Sequence, residues 1–205
     1  MRVLPEPYML AVLLLDAVLL LLLYERLLAA LRAAMDCYRN PYSMREFLGN
    51  NYLCLSVRQI LVLLLPFYAG TLVTTGVSRL GFGWTLALLV LLALVRLLVC
   101  RTLGWLTSKN GTFRSLERVN EAVCVLAIFA SLPCFILGWL APGIPHWVLW
   151  VALSLIAAVA ATVYIWRGTQ IIFSAQFSIC YWVLYLCALE FLPICVVVNR
   201  LIKGN

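Results

Sequence analysis

The sequence has 205 residues, of which 65% are hydrophobic and only 11% are charged, and its mean hydropathy is +1.06. A water-soluble chain of this size has too little interior to bury that much apolar surface, so the composition indicates an integral membrane protein. The formal net charge of +7 then points to loops that face anionic lipid, and a soluble nucleic-acid-binding protein is excluded.

Six apolar segments are long enough, or nearly so, for the roughly 20 residues that a membrane-crossing helix needs. They lack the alternation of apolar and polar residues that is typical of strands in a membrane β-barrel. We therefore predict an all-α, polytopic transmembrane helical bundle that forms a single domain over residues 1–205. The predicted spans cover residues 8–28, 53–75, 84–106, 122–139, 147–166 and 177–198.

The first predicted span contains an acidic residue. The segment differs from a secretory signal, because Pro5, Glu6 and Pro7 dilute its basic start and no convincing cleavage site follows, so we expect it to be retained. Asp16 lies eight residues into the span, about 12 Å from the bilayer boundary. An ionisable group at that depth is costly and is therefore a candidate functional residue.

The loop after this span and the second span carry two further signals. Ser43 is followed three residues later by Glu46, which fits a capping box and predicts a short interfacial helix over residues 43–48. In the second span, Pro66 interrupts the apolar run and Arg58 lies one turn inside it. We expect the Arg58 side chain to extend toward the lipid headgroups.

The third span and the loop after it contain most of the remaining charge. Arg96 lies midway along the span, where its side chain either reaches the headgroups near Arg101 or pairs with a carboxylate of another helix. Asn110 and Gly111 predict a turn, and Ser115 fits the cap of a helix that follows it. Along this helix we predict ion pairs at three-residue spacing. Its charged residues are Arg114, Glu117, Arg118 and Glu121.

The fifth span carries a row of small residues. Ser154, Ala158 and Thr162 recur at four-residue steps, with Ala157 and Ala161 beside them. Small residues at this spacing let two helices approach closely. We expect this helix to lie in the centre of the bundle or at a contact between subunits.

The last predicted span contains a carboxyl group next to a proline. Pro193 cannot donate a hydrogen bond to the carbonyl of Leu189, so it loosens the helix beside Glu190. Glu190 lies at about the depth of Asp16, so the two carboxyls could share a proton or ion site. The alternative is that each is protonated or hydrogen-bonded to a neighbouring helix and only fixes packing.

No motif for catalysis or for a bound cofactor is present. The eight cysteines form no Cys-x-x-Cys pair, and His146 is the only histidine, so a metal or haem site has no support. We predict no catalytic residue, no metal and no cofactor. Eleven of the 15 Lys and Arg flank the first, third and fifth connections. This distribution predicts that those connections are cytoplasmic and that both termini lie outside.

One segment permits a comparison with a known family. The sequence YLCALEFLP at residues 185–193 resembles the signature helix of an uncharacterised family of multi-pass inner-membrane proteins of Bacteroidota, a domain of unknown function. LGWL at residues 103–106 is similar to that family's pattern, and the resemblance covers residues 84–203. It implies a helical bundle in the bacterial inner membrane and marks Tyr185, Glu190 and Pro193 as a unit, without implying an activity.

Two functions remain open. The favoured hypothesis is a non-enzymatic assembly, accessory or scaffold factor of the cell envelope, with a membrane-protein partner or a second copy of the chain and with anionic lipid around it. Small size, short outer loops and the lack of catalytic motifs favour it. The alternative is a small proton- or ion-coupled transporter that uses Asp16 and Glu190. An intramembrane enzyme is a third, weaker possibility.

Overall fold

The fold was derived from a computed structural model, which describes residues 7–39, 41–78, 81–106, 108, 110–140 and 145–174. Every regular element in these ranges is an α-helix, as predicted. The helices are α1 (Pro7–Leu22), α2 (Tyr24–Arg39), α3 (Pro41–Gly49), α4 (Asn51–Thr74), α5 (Phe82–Leu106), α6 (Asn110–Leu140) and α7 (His146–Ser174).

Four of these helices, α4 to α7, are long and apolar enough to cross a membrane, and the bent pair formed by α1 and α2 would make a fifth. The second to fifth predicted spans therefore each fall on one helix, α4 to α7, and the first covers α1 and the start of α2. The sixth, over residues 177–198, lies outside the described residues, and so do Tyr185, Glu190 and Pro193.

The chain turns sharply after α1. The prediction of one helix over residues 8–28 is wrong at its end, because α1 stops at Leu22 and the axis bends by 83° before α2. The reason lies in α2, which is amphipathic. Its small residues Ala30, Ala33 and Ala34 are buried against α4 and α6, while Arg32 is exposed. Helix α2 therefore packs across the bundle instead of extending the first span.

A short helix over residues 43–48 is confirmed as α3, but α3 begins at Pro41, so Ser43 lies inside it and is not the cap that the capping box predicted. The interfacial position of α3 stays a prediction. Met44 and Phe47 are buried in the main core, which fixes α3 against α2 and α4. Helix α4 follows at once. Its N-cap is Asn50, whose side-chain oxygen accepts hydrogen bonds from the backbone N–H groups of Tyr52 and Leu53 at 3.0 and 3.3 Å.

The core lies between α4 and α6, the helix pair with the most extensive contact. Val57, Ile60 and Leu64 of α4 pack with Val119 and Val125 of α6, and all five side chains are fully buried. Helices α5 and α7 flank this pair. In their most apolar stretches only 6% and 11% of the residues are buried, so their outer faces stay exposed.

The predicted turn at Asn110 and Gly111 is wrong. These residues are the first two of α6, a helix of 31 residues. The first-turn N–H groups of any helix have no intrahelical acceptor, so the weak helix propensities of Asn and Gly are tolerated there. Ser115 lies inside the helix, and its hydroxyl donates to the carbonyl of Gly111 at 3.0 Å, so it is not a cap. Pro66 and Pro133 likewise lie within unbroken helices.

The helices meet at two ends. At one, the indole N–H of Trp150 in α7 donates to the carbonyl of Thr75 after α4, at 2.9 Å, and the ring of Tyr8 in α1 contacts Phe82 of α5. The opposite end is formed by α2, α3, the starts of α4 and α6 and the last turns of α5 and α7. We call it the arginine-rich end, since it contains Arg26, Arg32 and the arginines described next.

Candidate functional site: a polar cleft

A cleft of ≈ 550 Å³ opens at the arginine-rich end between α4, α5 and α6. Its lining includes four arginines and two glutamates, which give it a formal charge of +2. Such a group of charges beside apolar helices must be neutralised, hydrogen-bonded, hydrated or available to a ligand. The charged lining residues are Arg58, Arg101, Arg114, Arg118, Glu117 and Glu121.

Arg58 is held by two carboxylates of α6. Its Nη2 lies 2.6 Å from Oε1 of both Glu117 and Glu121, and its Nε donates to Oε1 of Glu121 at 2.7 Å. The glutamates are four residues apart and thus on one face of the helix. Arg58 is seven residues into α4, about 10 Å along its axis. Arg58 thus has two anionic partners within the protein, while its side chain stays 41% exposed, and the expectation that it reaches the headgroups stays a prediction.

Arg118 joins α6 to the start of α4. Its guanidinium donates to the backbone carbonyl of Leu48 in α3, and its second amino group donates to the side-chain oxygen of Asn51 at 2.9 Å. Two ion pairs were predicted within α6, Arg114 with Glu117 and Arg118 with Glu121. Neither forms among the described residues. Both glutamates instead bind an arginine of another helix. Pairing between helices replaces pairing along one helix.

Arg101 and Arg114 are the two cleft arginines that remain. Both are exposed, and among the described residues neither makes a hydrogen bond or an ion pair. They lie on α5 and α6, on either side of the point where these helices meet. A Cβ atom at Gly104 would lie 2.9 Å from Oδ1 of Asn110 and 3.4 Å from its Cα, so glycine permits this close approach. Of the four cleft arginines, Arg58 and Arg118 thus have protein partners, whereas Arg101 and Arg114 have none among the described residues.

The two predicted ionisable residues that the structure describes do not line this cleft. Asp16 of α1 is buried, with 8% of its surface exposed, and its Oδ2 has no hydrogen-bond partner among the described residues. The guanidinium carbon of Arg96 lies 5.0 Å from the centroid of the Tyr164 ring, a cation–π contact that joins α5 to α7. A shared site of Asp16 and Glu190 concerns a residue outside the described ranges and stays a prediction.

The small residues of α7 are exposed over the part of the chain that the structure describes. The hydroxyl of Ser154 donates to the carbonyl of Val151, and that of Thr162 to the carbonyl of Ala158, both at 2.8 Å. Ala157 and Ala161 are exposed as well. Their predicted role in helix packing stays a prediction.

Sequence reasoning missed the cluster of Arg58, Glu117 and Glu121. A signal was available: Arg58 lies inside one apolar segment, and Glu121 directly precedes another. Opposite charges near the starts of two apolar segments favour a pair between helices. The arginines three residues before each glutamate hid this signal, because they offered a local partner.

Searches of curated proteins and of solved structures give no significant match to the chain. A family model does match, and it begins at residue 8, so the family likeness includes the first two predicted spans as well as the part from residue 84 onward. The model is described as "Domain of unknown function (DUF4271)". Because it matches residues 8–201, the chain belongs to this family.

Proposed function

We propose that the chain is a non-enzymatic accessory or scaffold protein of the bacterial inner membrane, which acts through helix contacts with another membrane protein or with a second copy of itself. The observation that carries this proposal is the exposed face of α7 with its small residues. A helix face that contacts only lipid does not require small side chains, whereas a face that packs closely against another helix does.

This face of α7 is suited to close packing. Ser154, Ala158 and Thr162 repeat at four-residue spacing and therefore lie in one row along the helix. Both hydroxyls already donate to carbonyls of α7, so the row does not form a chain of free polar groups. Leu155 and Val159, at 60% and 59% exposure, bound it with bulky side chains. The result is a shallow groove into which another helix fits.

The proposed location and orientation rest on charge. The described arginines Arg26, Arg32, Arg101 and Arg114 all lie at the arginine-rich end, which supports a cytoplasmic position for that end. Both termini would then lie outside. The proposed origin in Bacteroidota rests on the resemblance of residues 185–193.

The test compares two neighbouring substitutions in α7. We expect Ala158→Phe to fill the groove and to reduce the co-purifying partner, or the second copy, about tenfold or more, since a misplaced ring prevents close helix approach. Val159→Phe introduces the same ring on the adjacent bulky surface and serves as the control. The measurement is purification in mild detergent followed by quantitative mass spectrometry. Equal recovery of partners with both variants would contradict the proposal.

A second candidate, a small proton-coupled carrier, is favoured by Asp16. Its carboxyl group is buried in α1 and lacks a hydrogen-bond partner for Oδ2 among the described residues. A carboxyl without a fixed partner is able to bind and release a proton during transport. A structural carboxyl would more commonly be hydrogen-bonded.

Asp16→Asn distinguishes these roles, because asparagine keeps the size of the side chain but cannot titrate. If the protein is a carrier, proteoliposomes with the parent protein should take up protons faster than empty vesicles under an imposed membrane potential. Proteoliposomes with the variant should take up protons no faster than empty vesicles, and the variant should keep the melting temperature of the parent. A structural role predicts a lower melting temperature for the variant and no proton flux with either protein.

A further inference from the structure

We propose that the cleft at the arginine-rich end binds the phosphate group of an anionic lipid headgroup, with Arg101 and Arg114 as the donors. A phosphate group matches two planar guanidinium groups, since each guanidinium can donate two parallel hydrogen bonds to its oxygens. The site is separate from the α7 face and does not depend on the proposed partner.

The four arginines of the cleft differ in their partners, and this difference supports the site. Arg58 is neutralised by Glu117 and Glu121, and Arg118 is fixed by a backbone carbonyl and by Asn51. These contacts hold the starts of α4 and α6 in place. Within the described ranges, Arg101 and Arg114 are left without such partners, so their donors are available to an anion.

The backbone adds to the attraction. Helix α6 begins at Asn110, which lines the cleft, and the N-terminus of a 31-residue helix carries partial positive charge. Its first-turn N–H groups lack intrahelical acceptors. A phosphate at this position would be attracted by the positive end of α6 as well as by the two arginines.

The position and lining of the cleft favour a lipid over free phosphate. The cleft lies at the ends of three helices that are apolar enough to cross a membrane, where headgroups would be found. Leu55, which is 55% exposed, and Phe113 give part of the lining apolar character. These side chains would contact the glycerol and the first methylenes of a lipid, which inorganic phosphate lacks. The volume of ≈ 550 Å³ exceeds what a phosphate ion alone requires and lies within the range of small-molecule sites.

The experiment uses the purified full-length protein in detergent with dioleoyl phosphatidylglycerol as the probe, and native mass spectrometry counts the lipid adducts. We expect phosphatidylglycerol to be retained and phosphatidylcholine to be lost. Arg101→Gln and Arg114→Gln should each weaken retention about tenfold or more, because each removes charge-assisted hydrogen bonds. Arg32→Gln is the matched control, since it removes one exposed arginine of the same end outside the cleft.

Further arms of the experiment test the source of the phosphate and the geometry. Inorganic phosphate alone should not raise the melting temperature, whereas phosphatidylglycerol should raise it for the parent protein and for Arg32→Gln. Arg101→Lys keeps the charge but loses the planar fork, so retention should fall between the parent and Arg101→Gln. The proposal is overturned if Arg32→Gln weakens retention as much as the cleft variants, if phosphatidylcholine is retained equally, or if inorganic phosphate stabilises as well as the lipid.

Discussion

Arg58 shows how one residue can organise a helical interface. It makes ion pairs with two glutamates of α6, and the side chains of both are largely shielded from solvent. The roles in this cluster are unequal. Removing Arg58 would leave two carboxylates close together without their ion-pair partner, whereas removing one glutamate leaves Arg58 paired with the other.

This inequality gives a prediction about stability. Arg58→Gln should lower the free energy of unfolding by about 2–3 kcal/mol, and Glu121→Gln by about 1 kcal/mol, because only the first leaves uncompensated charge. The double variant should cost less than the sum of the two. Denaturant unfolding in detergent micelles measures these differences, with Arg32→Gln as the control for a lost surface charge. A cost for Glu121→Gln equal to that for Arg58→Gln would refute the unequal roles.

At the scale of elements, the existence of the helices could be predicted better than the residues at which they end or the helices against which they pack. Long apolar runs led to α4, α5 and α7 directly, and the capping pattern of Ser43 and Glu46 led to α3. The bend between α1 and α2 was missed, since hydropathy continues through it and only the burial of Ala30 and its neighbours against α4 and α6 explains the change of direction. The start of α6 was missed because local turn preferences of Asn110 and Gly111 are overridden by the helix that follows.

The candidate site was even less accessible to prediction. The cleft brings together residues 51–58 of α4, 100–104 of α5 and 110–121 of α6, and its shape depends on the approach of α5 and α6 at Gly104. Nothing local marks Arg101 and Arg114 as different from Arg58 and Arg118. That Arg101 and Arg114 are available to a ligand follows only from the structure, in which the glutamates and a backbone carbonyl bind Arg58 and Arg118.

At the scale of the whole molecule, most of the described arginines lie at one end, and the contacts of Trp150 with Thr75 and of Tyr8 with Phe82 lie at the other. The arginine-rich end also contains the helices α2 and α3, whose described charged residues include Glu25, Arg26, Arg32 and Glu46. If the chain crosses a membrane, this asymmetry favours one orientation over the reverse.

Site-specific labelling tests that orientation. In spheroplasts, a membrane-impermeant maleimide should label His146→Cys above the level of the parent protein, because His146 is exposed at the end opposite the arginines. Ser108→Cys, exposed between α5 and α6, should be labelled only after the membrane is permeabilised. The reverse pattern would place the arginine-rich end outside.

The pairing of Arg58 with α6 also has a consequence for how the chain is made. Glu117 follows Arg58 by 59 residues, which at synthesis rates of roughly 5–20 residues per second corresponds to an interval of about 3–12 s. During that time α4 has emerged from the ribosome while its arginine has no carboxylate to meet. An arginine in an apolar helix opposes entry into lipid. If α4 crosses a membrane, we therefore expect it to complete its insertion together with α6, so that the pairing of Arg58 sets the order in which these two helices enter lipid.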